Sequence, residues 1–367
     1  MTEKEHDMLA VAEHDDAARQ RFVLAAKGYL NRQLVPRLHD AFDRQLSRDE
    51  SGAVSASFDT VLDRVHSSSA YQAWSSLNVA AQNHMWEAVK RPVVREQQRL
   101  EQGFSAASAA PRGSLTLNAD IEVPDVMRSV DVHLQPGGYM LDQGPNDIQA
   151  GALYEAGGRL YSQGIGVGTR ETKAEIVIRF LSEWRPGFYP GRILDMACSA
   201  GQSSTPYAAH FADADVHAVD IGPGLLRYAH ARAEALGVTV HFHQANVEST
   251  GFDDASFDLV VSHNAMHELS QAAQAGMMAE CYRLLRPGGV CIHLDVPLRF
   301  EHLSTLQQVL YSWDEFFNNE PFWSAYATND AQTMLVDAGF AAADVFVGPF
   351  EQADKTFSWH LAAGQKP

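Results

Sequence analysis

The chain of 367 residues is long enough for two domains, or for one large domain with an appendage. Hydrophobic residues make up 46% of it and charged ones 20%, the composition of a globular protein with a sizeable core. Its 46 acidic and 28 basic residues give a formal charge of −18 without any Lys/Arg run, which argues against a nucleic-acid partner. From about Ala18 to Phe42, apolar residues such as Phe22, Val23, Ala26, Leu30, Leu34 and Leu38 recur at three- and four-residue spacing, which predicts an amphipathic helix broken at Pro36. Helical spacing returns through Phe58–Val65 and Tyr71–Val94 and ends near 95–100. Residues 103–114 are small and read as a linker or exposed loop. Leu115 to Ile121 alternates like a strand, and Gln135-Pro136-Gly137-Gly138 marks a turn. Residues 1–145 are therefore expected to form a mostly helical accessory domain, for substrate or dimerisation, and 146–367 a second domain.

The pattern changes after Ala152. Residues 170–184 read as a helix with Ile176, Val177, Phe180, Leu181 and Trp184 on its core face. Strands follow at Arg192–Met196, Asp215–Asp220, Val238–Gln244, Phe257–His263 and Val290–Asp295, separated by helices at about 204–211, 224–236 and 272–285. Alternating strands and helices imply parallel pairing through right-handed crossovers. The segments 343–348 and 356–364 look like a final strand pair. The expected architecture is α/β: a Rossmann-like, doubly wound, mostly parallel seven-stranded sheet with a terminal antiparallel hairpin. Cys198, Cys281 and Cys291 are the only cysteines, odd in number and without CxxC spacing, as in a reduced cytoplasmic protein. The start, Met1–Asp16, lacks the apolar run of a signal peptide, and no ~18-residue apolar stretch predicts a membrane partner.

The organising stretch is Arg192 to Ser204: a strand ending near an acid, small residues from Ala197 to Gly201, then a helix that Ser203 or Ser204 could cap. A dinucleotide corner would want three glycines, and only Gly201 is present. A phosphate loop would want a lysine, and there is none. Asp195 disfavours both phosphate ligands and suits a cationic one.

Leu194-Asp-Met-Ala-Cys-Ser-Ala-Gly201 resembles the L-D-x-G-C-G-x-G motif of class I S-adenosylmethionine-dependent methyltransferases. Val219-Asp220-Ile221, Ala245-Asn246-Val247-Glu248 with Phe252–Asp258, and Leu285-Arg-Pro-Gly-Gly289 are similar to further motifs of that family, in order. Over about 192–297 the likeness is to the small-molecule methyltransferases of ubiquinone and menaquinone biosynthesis. It implies S-adenosylmethionine as cofactor, with Asp195 near the methionine amino group and Gly201 at the close approach. Asp220 would receive the ribose hydroxyls, and Asn246 would stand where an aspartate usually reads the adenine amine. Ala197, Cys198, Ile221, Val247 and Ser262 would line the cofactor. Ala197 and Ser199 depart from the pattern, replacing two family glycines. Tyr154 and Tyr161 could close over the cofactor from the other side, with ordinary packing as the alternative.

The implied chemistry is in-line methyl transfer to a small-molecule acceptor, driven by positioning and desolvation. His263 is the first candidate for base or acceptor orienter, with His267 and Asp295 beside it at the carboxyl edge. His267 and Glu268 are expected on the exposed start of the next helix. A metal reading of His263, His267 and Glu268 lacks a defined further ligand, and no metal is assigned. His293 is expected to be structural. The aromatic-rich insertion at about 298–329 reads as a lid with an apolar pocket, or as a subunit interface or core for the N-terminal region. A homodimer is one role for the accessory domain. The alternatives are a non-catalytic cofactor-binding or scaffold protein and an RNA or protein methyltransferase.

Overall fold

The computed structural model describes residues 5–44, 46, 56–165 and 171–367. Helix α1 (His14–Tyr29) runs through a π-helical turn, Leu30–Leu34, into α2 (Val35–Asp43). The expected break at Pro36 is not a break. Val35 N–H reaches back to Leu30 O, and the widened turn places Pro36 in the first turn of α2, where a missing N–H costs little. Next come α3 (Phe58–His66), α4 (Ser69–Arg95) and α5 (Gln97–Ala109). Residues 103–109, expected as linker, are thus helical. Alanine favours the helix, and Leu100 and Phe104 bury its inner face.

Strand β1 (Ser114–Thr116) enters the main sheet, where the sequence placed none of the seven strands. Gly113 makes this entry feasible, because a Cβ there would lie 2.0 Å from Val240 O. After α6 (Asp125–Ser129) and α7 (Gln149–Ile165), helix α8 (Lys173–Trp184) begins at a capping box of Thr172 and Glu175. Residue 170, its expected start, lies outside the described residues.

The sheet elements then alternate: β2 (Arg192–Met196), α9 (Ser204–His210), β3 (Asp215–Asp220), α10 (Pro223–Leu236) and β4 (His241–Gln244). They continue as β5 (Phe257–His263), α11 (Gln271–Leu284) and β6 (Leu285–Asp295). Short helices α12 (Thr305–Tyr311), α13 (Trp313–Phe317), α14 (Trp323–Ala327) and α15 (Ala331–Ala338) precede β7 (Val345–Glu351) and β8 (Ser358–Gln365). The strand order is β1-β4-β3-β2-β5-β6-β8-β7, so the fold is Rossmann-like and doubly wound, with eight strands rather than seven. Pairing is parallel from β1 to β6 and antiparallel where β8 meets β6 and β7. The order reverses between β2 and β5, and that crevice is the ligand position of such sheets.

Strand alternation divides the sheet into two cores. Ile193, Val216, Ala218, Leu259 and Val261 face α8 and α10, while Leu194, Met196, Val219 and Val260 face α11 and α15. The N-terminal helices share their cores with the rest of the chain. Trp86, Val89 and Val93 of α4 pack with Leu153 of α7 and Tyr228 of α10. Leu306, Val309 and Trp313 of the insertion pack with Leu38, Val61 and Tyr71, and Trp313 Nε1 donates to Ser75 Oγ at 2.9 Å. The insertion therefore serves as core for the N-terminal region. Its other end reaches the carboxyl edge of the sheet, as described below.

Candidate active site

The turn after β2 carries its strain in plain sight. Ala197, Ser199 and Gly201 have φ of 54°, 48° and 73°, so two side chains occupy the left-handed region that glycine usually fills. Cβ sterics make that conformation cost about 1–2 kcal/mol per residue. The surrounding hydrogen bonds hold it. Cys198 N–H donates to Val219 O at 3.0 Å, Gly201 N–H to Cys198 O at 2.9 Å, and Ser199 N–H to Asp220 Oδ2 at 2.9 Å. A Cβ on Gly201 would lie 3.0 Å from that of Ala229, so helix α10 packs directly on the turn.

Asp195 is fully buried, and its Oδ2 accepts from Ser203 Oγ at 2.7 Å and Ser204 Oγ at 2.6 Å. Those hydroxyls, expected as helix caps, hold this carboxylate instead; Ser203 makes no capping bond. Asp220 accepts from Gly222 N–H at 2.9 Å through its other oxygen. Burial pushes the Asp220 carboxyl up, and the negative Asp195 adds to this against the pull of the backbone amides. Each oxygen of Asp220 takes one backbone N–H, leaving capacity for a ligand hydroxyl. Two buried carboxylates under a turn of small residues fit a cationic adenosyl-sulfonium ligand in charge.

The remaining expected residues separate. Gln244 Nε2 donates to the main-chain oxygen of Ile221 at 2.9 Å, and Asn246 Oδ1 accepts from Glu248 N–H at 2.9 Å. Val247 is buried beside them, and Cys198 is a buried thiol that burial pushes up. Ser262 turns into the core, its Oγ 2.8 Å from His293 Nδ1. His293 is structural as expected, and burial brings it down to about 4. Tyr154 packs against the core that holds Ala200 of the turn, and burial pushes its hydroxyl up to about 12. Tyr161 lies beside His133, 6.2 Å away, with Lys27 Nζ 4.3 Å over its ring.

His263 is hydrogen-bonded through one nitrogen. Its Nε2 is 3.0 Å from Tyr207 Oη, and its Nδ1 is 3.4 Å from Asp195 Oδ1, at ion-pair distance but outside hydrogen-bond alignment. His267 is different. The expectation of an exposed helix start fails, because the imidazole is only 3% exposed in a 3₁₀ turn, Met266–Glu268. Asp295 makes this turn. Its Oδ2 accepts from Met266 N–H at 2.9 Å, and its Oδ1 lies 2.6 Å from His267 Nδ1. Burial disfavours the imidazolium, but Asp295 and then Glu268 outweigh it and raise His267 to about 9.

Around His267 the chain assembles groups that sequence reasoning did not join. Glu268 Oε1 is 3.7 Å from His267 Nε2, 3.2 Å from His133 Nε2 and 3.0 Å from the Tyr139 hydroxyl that donates to it. His133 Nδ1 is 2.5 Å from Glu320 Oε1. Burial works against a charged His133, but Glu320 and Glu268 outweigh it and raise its pKa well above the ordinary value. The His133 carbonyl accepts from Trp86 Nε1 at 2.7 Å and Gln82 Nε2 at 2.9 Å, so α4 fixes its position. Trp323 and Tyr326 of the insertion stand edge-on to His267 at 5.5 and 6.0 Å. Only Asn-Asn-Glu320-Pro, a polar break within the aromatic stretch, hinted at this in the sequence. The cluster also lies next to the cofactor turn: Tyr154 packs in the core that holds Ala200, its ring meets that of Tyr139 at 5.7 Å, and the Tyr139 hydroxyl donates to Glu268.

Residues 193–289 match a family model described as a methyltransferase domain. The demethylmenaquinone methyltransferase of Thermus thermophilus is 32% identical over 108 residues, 29% of this chain and 48% of that protein. An uncharacterised Haemophilus influenzae protein is 31% identical over 109 residues, 29% of this chain and 43% of its own. The chain thus spans less than half the length of these curated relatives. Among solved structures, phosphoethanolamine N-methyltransferase 2 of Haemonchus contortus with S-adenosylmethionine superposes at a TM-score of 0.41 and 18% identity, covering 53% of each chain. The segment around the strained turn thus matches a methyltransferase domain and is similar in sequence to a demethylmenaquinone methyltransferase. No helix among the described residues is long and apolar enough to cross a membrane.

Proposed function

We propose that this protein transfers a methyl group from S-adenosylmethionine to a small-molecule acceptor held beside His267. The observation that carries the reading is the closeness of the strained turn to the buried polar His267 cluster, with Tyr154 packed in the same core as Ala200 and against the Tyr139 ring whose hydroxyl donates to Glu268. In this reading Asp220 takes the ribose hydroxyls, Asn246 and Val247 flank the adenine, and Gly201 permits close approach. Asp195 keeps the turn negative from beneath. When bound, the cofactor supplies an electrophilic methyl group on a sulfonium. The chain contributes positioning and exclusion of water, the terms that dominate a displacement with little covalent work for protein groups. Asp295 fixes the direction of His267 through Nδ1, leaving Nε2 for the acceptor side. The Trp323 and Tyr326 rings close that side against solvent. His263 supports the turn through Asp195 and Tyr207, and the acceptor-orienting role passes to His267. Three buried free cysteines support a cytoplasmic setting.

Calorimetry with S-adenosylmethionine and S-adenosylhomocysteine, followed by turnover on a panel of small acceptors, tests the reading. Binding with turnover supports it. Absence of binding by both ligands would overturn it, and binding without turnover on any acceptor would favour a non-catalytic cofactor-binding protein.

A further inference from the structure

We propose that His133, His267, Glu268 and Glu320 form a divalent transition-metal site that presents the acceptor to the cofactor. Four ligand atoms, one from each residue, lie within 4.8 Å of one another. Donors about 2.1 Å from one ion stand at most about 4.2 Å apart, so a small closing movement of side chains completes the shell. The set differs from a solvated acidic patch in three respects. Glu320 is 1% exposed, and its Oε2 has no hydrogen-bond partner among the described residues, a buried charged atom that a cation would satisfy. The Asp295 contact occupies His267 Nδ1 and leaves Nε2 toward the cluster, the carboxylate–histidine support that metal-ligating imidazoles carry. The ligands also come from three separate parts of the chain. His133 is anchored by α4, His267 and Glu268 by Asp295, and Glu320 by the insertion, whose Glu320 N–H donates to Asp314 O at 3.2 Å.

Two imidazoles with two carboxylates suit Zn2+ or Fe2+ better than Mg2+ or Ca2+, which prefer oxygen shells. Four protein donors leave two positions of an octahedral ion for water or an oxygen of the acceptor. The metal lowers the pKa of a coordinated hydroxyl, so the acceptor binds as the oxyanion and releases its proton to water before methyl transfer. The acceptor class is then an oxygen-bearing small molecule that can ligate the ion. This last step rests on the methyltransferase reading; the metal site itself does not.

The test uses the full chain, stripped with a chelator and titrated calorimetrically with Zn2+ alone. The expected result is one equivalent bound per chain, with affinity falling at least about tenfold in Glu320→Gln and in His133→Gln. S-adenosylhomocysteine binding by the same samples, with circular dichroism, verifies that each variant is folded. Should one variant fail to fold, the other decides. No Zn2+ binding by the wild-type chain, or affinity undiminished in the folded variants, overturns the metal site. Loss of S-adenosylhomocysteine binding by the wild-type chain would instead overturn the cofactor reading and leave the metal result standing.

Discussion

The cofactor turn and the His267 cluster lie at the same sheet edge, yet they are built in opposite ways. The turn is a run of neighbouring residues, Asp195 to Ser204, tied to the end of one adjacent strand at Asp220. The cluster gathers residues 133, 267, 268 and 320, and each is held by a partner on another element. A site made from contiguous backbone can be strained locally and still be legible. A site made from side chains of distant segments exists only after the N-terminal helices and the insertion have packed.

Substitution of the two histidines breaks or sharpens this comparison most strongly. His267→Ala is expected to lower turnover by about 10²–10⁴-fold while leaving S-adenosylmethionine affinity unchanged, as expected of a group that acts on the acceptor side. His263→Ala is expected to act on the turn instead, weakening cofactor binding and lowering the melting temperature through Asp195 and Tyr207. Steady-state kinetics with calorimetry distinguish the two, and identical profiles would remove the distinction between turn and cluster.

The network behind the turn comes next. Glu155 of α7 is fully buried, accepting from Tyr228 Oη at 2.6 Å and Arg232 Nε at 3.0 Å, with His6 Nε2 at 3.2 Å. Arg232 Nη1 in turn donates to Gly201 O at 3.2 Å, so this network reaches the cofactor turn. Glu155→Ala leaves a buried guanidinium without its carboxylate and is expected to cost about 3–5 kcal/mol in chemical denaturation. Burial raises the Glu155 carboxyl, but Arg232 and then His6 outweigh it and hold it down at about 2. A depressed folded pKa contributes stability that is complete above the ordinary carboxylate value. As pH falls from about 4.5 toward 2, that contribution, on the order of 3 kcal/mol, is lost. A denaturation series across that window is expected to show a wild-type decline that Glu155→Gln flattens.

Asp220→Ala is expected to weaken S-adenosylmethionine by about 10–100-fold, because it removes the ribose acceptor and frees Ser199 N–H from its anchor. Unchanged affinity in calorimetry would place the ribose elsewhere. The smallest effect is expected from Ala197→Gly, where relief of a left-handed φ opposes the greater entropy of the unfolded chain. The melting temperature is expected to stay within the equivalent of about 1 kcal/mol and cofactor affinity to be unchanged. A large loss would mean that the alanine methyl itself makes a needed contact.

The sequence by itself determined the alternating strands and helices, the carboxylates at the ends of β2, β3 and β6, and the turn with its cofactor resemblance. These follow from periodicity two against 3.6 and from contiguous motifs, which depend on near neighbours. Where local signals competed with packing, the reading failed. Residues 103–109 carry no strong apolar stripe, yet burial of Phe104 makes them helical; the strand-like alternation from Leu115 showed a strand, but only pairing with β4 places β1 in the main sheet. Ser203 and Ser204 look like caps until a buried carboxylate lies within reach of both hydroxyls. Only the tertiary structure supports choosing His267 over His263 as the proposed acceptor-side group. The choice depends on Tyr207 and Asp195 engaging His263, and on Asp295, His133 and Glu320 converging with His267 from segments that no spacing rule connects.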